Sequence, residues 1–440
     1  MYGGIAALKT ATASHFVIKQ LFERPHLTGL LGANSYDQLS QVLLRELFKW
    51  LEEYQIEYVI DKMPPAHWGC GRKFKTYQNI LSIKNPITGQ VAIWFTRVLS
   101  DPDALRGLTL SMFVLDEIRD TTRYTFDVIL SRLRESNYIK GLLTTTTNGH
   151  SWDYDLFVKK ADYKMYGAFH IKTIESVKAG IITKEFYDSL RASYSPLMAA
   201  QELDCEHLNI HAGRAYYSAG NANKMRTSPW GAEYPDPDYP LIVGMDFNFS
   251  PSPCVWTVSQ ISPDGDRMHV FGEISGLEMS TPQMTQTLIS QYPGFFYKIF
   301  GDASGNRGTT SNAGEHDYNQ VASVLQDAGL PYSIDVDQSN PRVRDRVECL
   351  NALLKNAMGE IRLTYDPGRC PLLDLDMNIV GWKKTVISWQ GKLDSGGNPN
   401  ATHSSDSLGY AVFKLFPPGR RGSFVPNNES LVSRNLSHVF

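Results

Sequence analysis

Three aspartates carry the sharpest chemical signal in this 440-residue sequence. Asp246 interrupts the apolar run "LIVGMDFNF", Asp302 follows "FYKIF" in "GDASGN", and Asp406 lies in "HSSDSLGYAVFKLF". A carboxylate within an apolar strand is costly to bury without a partner. Three bare anions brought together repel one another, and divalent cations neutralise them through hard oxygen ligands. Two such ions roughly 4 Å apart clamp the attacking and leaving oxygens of a phosphodiester. Singly, Asp302 and Asp406 read as turn and cap residues. Together with Asp246 they read as a site for two Mg2+ or Mn2+ ions. Glu273 is a lesser candidate for an edge role. His403, one helical turn before Asp406, reads as a capping or surface histidine.

A second constellation opens the chain in "GGIAALKTATASHF". Gly3 and Gly4 begin a loop that Lys9 and Thr10 close at the start of a helical pattern. In a phosphate loop, backbone N–H groups converge on the anion, lysine neutralises it, and the Ser/Thr hydroxyl holds magnesium. Leu8 stands where glycine is usual, at a cost on the order of 1 kcal/mol if that position needs positive φ. Taken alone, the stretch fits a helix start of small residues equally well. The apolar run Met112–Leu115 then leads into Asp116-Glu117. At the C-terminal end of a strand, Asp116 suits a magnesium-bound water and Glu117 suits orientation of an attacking water. Thr144–Asn148 ends a later strand at the same sheet edge, where hydroxyls and an amide can sense a γ-phosphate. Arg72, Arg97, Arg106, Arg119 and Arg123 are candidate arginine fingers, and the sequence does not choose among them.

The elements that must position these residues alternate in kind. Leu39, Leu43, Leu47, Trp50 and Tyr54 recur at helical spacing. "NILSIKNPITGQVAIWFTR" predicts a hairpin, and Thr183 an N-cap for a helix with Phe186 and Leu190 on one face. Strands alternating with helices imply a mostly parallel, doubly wound sheet. The Pro/Gly/Asp-rich passage "RTSPWGAEYPDPDYP" predicts a domain boundary. Beyond it, "PLIVGMDFNF", "CVWTVSQI" and "RMHVFGEIS" predict three antiparallel strands. Helix, strand, helix and strand follow, giving a mixed sheet covered by helices. If the first and fourth of these strands are neighbours, Asp246 and Asp302 converge, and the helix bearing Asp406 can pack over them.

Composition narrows the function classes. A formal net charge of −3 gives no global basic field, although a locally basic channel for DNA remains compatible with it. Five scattered cysteines without a CxxC pair favour neither a disulfide framework nor a zinc site, and fit a reducing cytosol. No apolar run reaches the length of a membrane span.

With both constellations in order along the chain, residues 1–416 resemble the large terminase subunits of tailed bacteriophages. "MDFNFSP", "GDASGN", "HSSDSLGY", "LRGLTLSMFVLDEI" and "TTTTNGHSWDYDLF" carry the resemblance. It implies an α/β chain with an N-terminal P-loop (ASCE-type) ATPase domain at 1–225, including a lid at about 175–210. A linker at 226–239, a ribonuclease H-like nuclease domain at 240–416 and a flexible tail at 417–440 follow. It implies an ATP-driven motor that pumps double-stranded DNA into an empty capsid and cuts concatemeric DNA. The cofactors implied are ATP with Mg2+, and two Mg2+ or Mn2+ in the nuclease. The partners implied are double-stranded DNA, the portal protein and a small terminase subunit, in a ring (a pentamer by analogy) within the host bacterial cytoplasm. Gly3, Gly4, Lys9, Thr10 and Asp116 would bind nucleotide and magnesium, Glu117 would be the catalytic carboxylate, and Thr147-Asn148 would couple hydrolysis to movement. Asp246, Asp302 and Asp406 would hold the nuclease metals. Two other readings stay open: a metal-dependent nuclease or recombinase with an inert P-loop domain, and a non-catalytic DNA- or portal-binding scaffold.

Overall fold

The structure, a computed structural model, describes residues 1–149, 151–208, 213–231, 235–248, 252–306, 316–383 and 391–417. The chain divides into two compact units, Met1–Lys184 with Ala200–Asn209, and Glu185–Ala199 with Ile210–Phe440. The division therefore falls earlier than the boundary expected near 225, and the stretch expected as a lid is shared between the units. The expected linker is tied to the second unit, because Gln260 Nε2 donates to the carbonyls of Asp236 and Tyr239. The expected tail lies outside the described residues, apart from Pro417.

The first unit is built on strands β1 (Tyr2–Gly3), β2 (Thr28–Ala33), β3 (Tyr58–Ile60), β4 (Ile80–Lys84), β5 (Val91–Val98), β6 (Met112–Asp116), β7 (Lys140–Leu143) and β8 (His170–Ile171). Six of them form a sheet in the order β3-β4-β5-β2-β6-β7. Strands β5, β2, β6 and β7 run parallel, and the expected hairpin β4–β5 adds antiparallel strands at one edge. Beyond β7, Tyr2 bridges Thr145, and β1 pairs with β8 in parallel. The short strand β1 thus seats the glycine loop beside the β7 end.

Helix α1 (Lys9–Glu23) covers one face of this sheet, burying Ala13, Val17 and Leu21. The long helix expected over 36–54 forms as wide π-type turns, Gln38–Leu44, running into α2 (Arg45–Glu53). Alternation along β6 sets Met112 and Val114 in the cluster with α1, and Phe113 and Leu115 in the cluster with α3 (Arg123–Leu130). Asp116, two residues beyond Val114, thus faces α1. Helices α4 (Thr173–Lys178), α5 (Lys184–Ser193) and α6 (Pro196–Glu202) follow. In α5 the buried residues are Tyr187, Leu190 and Ala192, while Phe186 is exposed, so Tyr187 and not Phe186 joins Leu190 on the inner face.

The second unit centres on β9 (Leu241–Asp246), β10 (Cys254–Ile261), β11 (Met268–Gly276), β12 (Tyr297–Gly301), β13 (Tyr332–Ile334) and β14 (Leu363–Tyr365). Their order is β13-β12-β9-β10-β11-β14. The first three strands are antiparallel as expected, and β12 lies parallel to β9. Helices α7 (Thr281–Gln291) and α8 (Asp317–Asp327) share a core with Leu241, Val243 and Met245. Ile242 faces the opposite cluster, with α9 (Val343–Leu354), α10 (Pro371–Ile379) and α11 (His403–Leu415). By the same period of two, Gly244 and Asp246 face α11.

Gly244 sets how close α11 comes. A Cβ at this position would sit 2.3 Å from Ser407 O and 2.8 Å from Thr257 Oγ1. Ser407 Oγ donates to Gly244 O at 2.9 Å and accepts from Thr257 N at 3.0 Å, so the helix is bonded directly to the sheet. Gly244→Ala must push the α11 backbone away, and overpacking of this kind costs on the order of 1–3 kcal/mol. The denaturation midpoint of the variant is expected to fall. A variant as stable as wild type would show that close approach of α11 is not needed.

Candidate nucleotide and nuclease sites

In the first unit the loop is held by its surroundings. Gly4 N donates to Ile171 O, and Ile5 N to Glu202 O. Thr173 Oγ1 and Ser176 Oγ donate to the carbonyls of Ile5 and Ala6, each at 2.9 Å. A Cβ on Gly4 would meet Thr173 Oγ1 at 2.4 Å and Leu203 O at 2.7 Å, so this glycine is required by close backbone approach. Leu8 caps α1 with φ 54° and ψ 30°, in the left-handed region, so the expected strain at this position is present.

At the mouth of the loop, Lys9 Nζ donates to Gly3 O at 2.9 Å and to Thr146 Oγ1 at 3.1 Å. Thr10 Oγ1 donates to Asp116 Oδ2 at 3.1 Å, and Thr144 Oγ1 to Asp116 Oδ1. Glu117 Oε1 accepts from Thr146 N at 3.3 Å. Glu117 has φ 51°, and its carbonyl accepts from Asn34 Nδ2 at 2.7 Å, which fixes the turn after β6. Burial raises the Asp116 pKa, opposed by the Thr144 and Thr10 hydrogen bonds. Burial also raises that of Glu117, opposed chiefly by the Lys9 charge. A cation, three hydroxyls and two carboxylates from distant segments are thus gathered at one sheet edge.

Thr147 and Asn148, expected to couple hydrolysis to movement, lie just beyond the threonines that reach the acids. Thr144, Thr145 and Thr146 reach the acids, whereas Thr147 Oγ1 donates to Gln201 O at 2.9 Å and Asn148 is buried close by in sequence. The five candidate arginines have local partners. Arg72 pairs with Glu135, Arg106 with Asp103, Arg119 with Glu202 and Arg123 with Asp127, while Arg97 donates to the carbonyls of Asn79 and Thr96.

In the second unit, β9 and β12 end side by side. Met245 is in register with Gly301, and Asp302 N donates to Met245 O at 3.1 Å. Asp246 and Asp302 therefore leave adjacent parallel strands at the same edge. Asp246 is 6% exposed, and burial, with the Asp302 charge adding to it, raises its pKa. Asp302 Oδ1 accepts from Ser304 N at 2.7 Å and Asn340 Nδ2 at 2.6 Å. Asp406, in the first turn of α11, also has a raised pKa from burial, with the Asp246 charge contributing. Asp246 therefore feels the charge of Asp302, and Asp406 that of Asp246.

They do not form a ready-made ligand set. Among the described residues, no three His, Cys, Asp or Glu side chains are grouped so as to hold a metal ion. Asp406 Oδ1 is engaged by Arg346 Nη2 at 2.9 Å. Hard oxygen donors at Asp246 and Asp302 fit Mg2+ or Mn2+, and the third acid is held back by an arginine.

His403 differs from expectation. Its Nδ1 lies 3.1 Å from Asp246 Oδ2, which also accepts from Asn248 Nδ2 at 2.5 Å. Burial pulls the His403 pKa down, but the hydrogen bond and charge of Asp246 outweigh it, and the net shift is upward. A helix start is usually solvated, which is why the sequence suggests a surface position; here the start of α11 turns onto the sheet edge. Glu273 caps α10, accepting from the N–H groups of Leu372 and Leu373 and from Ser404 Oγ. Asp376 accepts from the N–H groups of Thr402 and Ser405, so α10 in turn fixes the start of α11. Neither Asp376 nor Arg346 was singled out by motif. An arginine amid apolar helix positions, in "VRDRVECLNALL", was the available signal.

No described helix is long and apolar enough to cross a membrane, and the five cysteines are free thiols. No curated protein matches the sequence. Among solved structures, the large terminase from a thermophilic bacteriophage is similar in fold, with TM-score 0.58 at 14% identity, over 94% of this chain and 92% of that one. The same protein in complex with ATP-gamma-S gives TM-score 0.57 at 13% identity, over 93% and 92%. In complex with ADP it gives 0.56 at 13% identity, over 94% and 92%. The family model described as terminase large subunit, T4likevirus-type, N-terminal, matches residues 1–221, half of the chain. With that match, and with a fold shared along nearly the whole length, the chain belongs to the large terminase subunits.

Proposed function

We propose that this chain is the ATP-driven subunit of a viral genome-packaging motor, which translocates double-stranded DNA into the procapsid and cuts concatemeric DNA with a metal-dependent nuclease. The observation that carries the motor reading is the gathering of Lys9, Thr10, Asp116, Glu117 and Thr146 around the end of β6. Lys9 neutralises the nucleotide phosphates, and its contacts to loop carbonyls are exchanged for them. Thr10 and Asp116 would hold magnesium, which supplies charge neutralisation between phosphate oxygens. Glu117, its pKa raised by burial, orients the attacking water and takes up its proton. Thr146, bonded to both Lys9 and Glu117, links phosphate to carboxylate. The ADP and ATP-gamma-S complexes of the thermophilic-phage large terminase support ATP as the nucleotide.

In the nuclease, Asp246, Asp302 and Asp406 would hold Mg2+ or Mn2+, two ions when fully loaded, which supply Lewis-acid stabilisation of the phosphodiester oxygens. Family membership supports portal protein, small terminase subunit and DNA as partners, a ring on the procapsid, and action in the host bacterial cytoplasm.

The test is ATP turnover by the full chain with DNA and portal present. Lys9→Ala is expected to abolish nucleotide binding and, with it, turnover. A wild-type chain that binds no nucleotide under any of these conditions overturns the motor reading.

A further inference from the structure

Helix α11 does not cap itself. Thr402, its N-cap residue, has φ 83° and ψ −24°, and its side chain takes no capping hydrogen bond. In a self-capped helix the Thr402 hydroxyl would accept from the N–H of Ser405, three residues on. Here that N–H donates to Asp376 Oδ2 at 2.8 Å, and Thr402 N donates to Asp376 Oδ1 at 2.8 Å. Asp376 is 0% exposed and belongs to α10. That helix is itself capped from the sheet, where Glu273 on β11 accepts from Leu372 N at 3.1 Å and from Leu373 N at 2.9 Å. A buried carboxylate is costly unless hydrogen-bonded, and this one gives both its oxygens to the first turn of another helix.

The turn so held carries the side chains of the candidate nuclease. Ser405 is fixed by Asp376, while Ser407 Oγ donates to Gly244 O at 2.9 Å and accepts from Thr257 N at 3.0 Å. Asp406 lies between these two anchors. His403, next to the Thr402 N–H, brings its Nδ1 to 3.1 Å from Asp246 Oδ2. The geometry points to Asp376 as the positioning residue of the candidate nuclease, which sets where Asp406 and His403 stand through the first turn of α11. This inference rests on the nuclease reading above and adds to it the residue that aligns its third carboxylate. The sheet presents Asp246 and Asp302 directly, from the ends of β9 and β12. It presents Asp406 through two successive caps, Glu273 on α10 and Asp376 on α11. Loss of the Asp376 carboxylate releases two N–H groups and lets the turn shift, with every acid of the site still in the chain.

The test measures Mn2+-dependent nicking of supercoiled plasmid by the full chain, well below the denaturation midpoint of each variant. Asp376→Asn keeps one accepting oxygen but turns an amide NH2 towards the other donor. Its kcat is expected to fall at least about a hundredfold, the effect of a displacement of about 1 Å, with KM for plasmid and ATP turnover unchanged. The Mn2+ concentration for half-maximal cutting should rise. Thr402→Gly relieves the left-handed backbone and leaves both N–H groups on Asp376. The double variant, Asp376→Asn with Thr402→Gly, should therefore regain stability while cutting as slowly as Asp376→Asn alone. Wild-type kcat in either folded Asp376 variant, with only the midpoint lowered, makes Asp376 a structural cap and overturns the inference while the nuclease reading stands. A wild-type chain that does not cut, or that cuts no better than Asp246→Asn, removes the nuclease reading and this inference with it.

Discussion

Asp246→Asn is expected to abolish Mn2+-dependent nicking of supercoiled plasmid, while leaving ATP turnover at the wild-type level. The substitution preserves the shape of the side chain and its contact with Asn248, so the effect should be chemical. Asp246 lies at the end of a fully paired interior strand, 6% exposed, and its neighbours are Asp302 and His403. On the reading proposed above, removing its charge takes away a carboxylate that would hold a cation, and metal ions contribute several kcal/mol to stabilising transition-state charge. At one factor of ten per 1.36 kcal/mol, the expected loss is on the order of 10³-fold. Stability should not fall with activity. The raised Asp246 pKa marks a carboxylate whose charged form is disfavoured in the fold, so a neutral isostere relieves that cost. A variant that cuts as well as wild type would contradict the assignment.

Glu117→Gln is the second large effect. Its backbone is locked by φ 51° and by Asn34, and its carboxylate accepts from Thr146 N. The amide keeps the hydrogen bond but cannot accept a proton from water. General-base contributions of this kind are worth about 10²–10⁴-fold, and ATP turnover should fall by that factor. Nucleotide affinity should persist, because Lys9, Thr10 and Asp116 are untouched. Fluorescent ATP binding together with single-turnover hydrolysis separates the two. Loss of binding together with turnover would mean that Glu117 holds the turn and does no chemistry.

Much of this is legible in the residues alone, for identifiable reasons. Asp246 stands out because a carboxylate in an apolar strand has few benign explanations, and Asp302 because parallel neighbours end at the same edge. Positive φ at Leu8 follows from the loop pattern. What stays hidden depends on long-range packing. Thr173 and Ser176 hold the loop carbonyls from some 170 residues away, and nothing in their own sequence announces it. Thr144 and Thr146, and not Thr147 and Asn148, reach the acids because β7 ends at Leu143, and a run of four threonines carries no marker of where the strand stops. His403 sits on α11, which the missing side chain of Gly244 lets down onto the sheet, and Arg346 reaches Asp406 from α9. A glycine inside a strand is a signal of close approach, and here it marks where α11 packs.

The most direct test is a crystal structure of the full chain grown with Mn2+, with the ions located by anomalous scattering. An ion bridging the carboxylates of Asp246 and Asp302, at the paired ends of β9 and β12, is the expected result. Manganese bound elsewhere, with Asp246 still joined only to His403 and Asn248, would contradict the nuclease assignment.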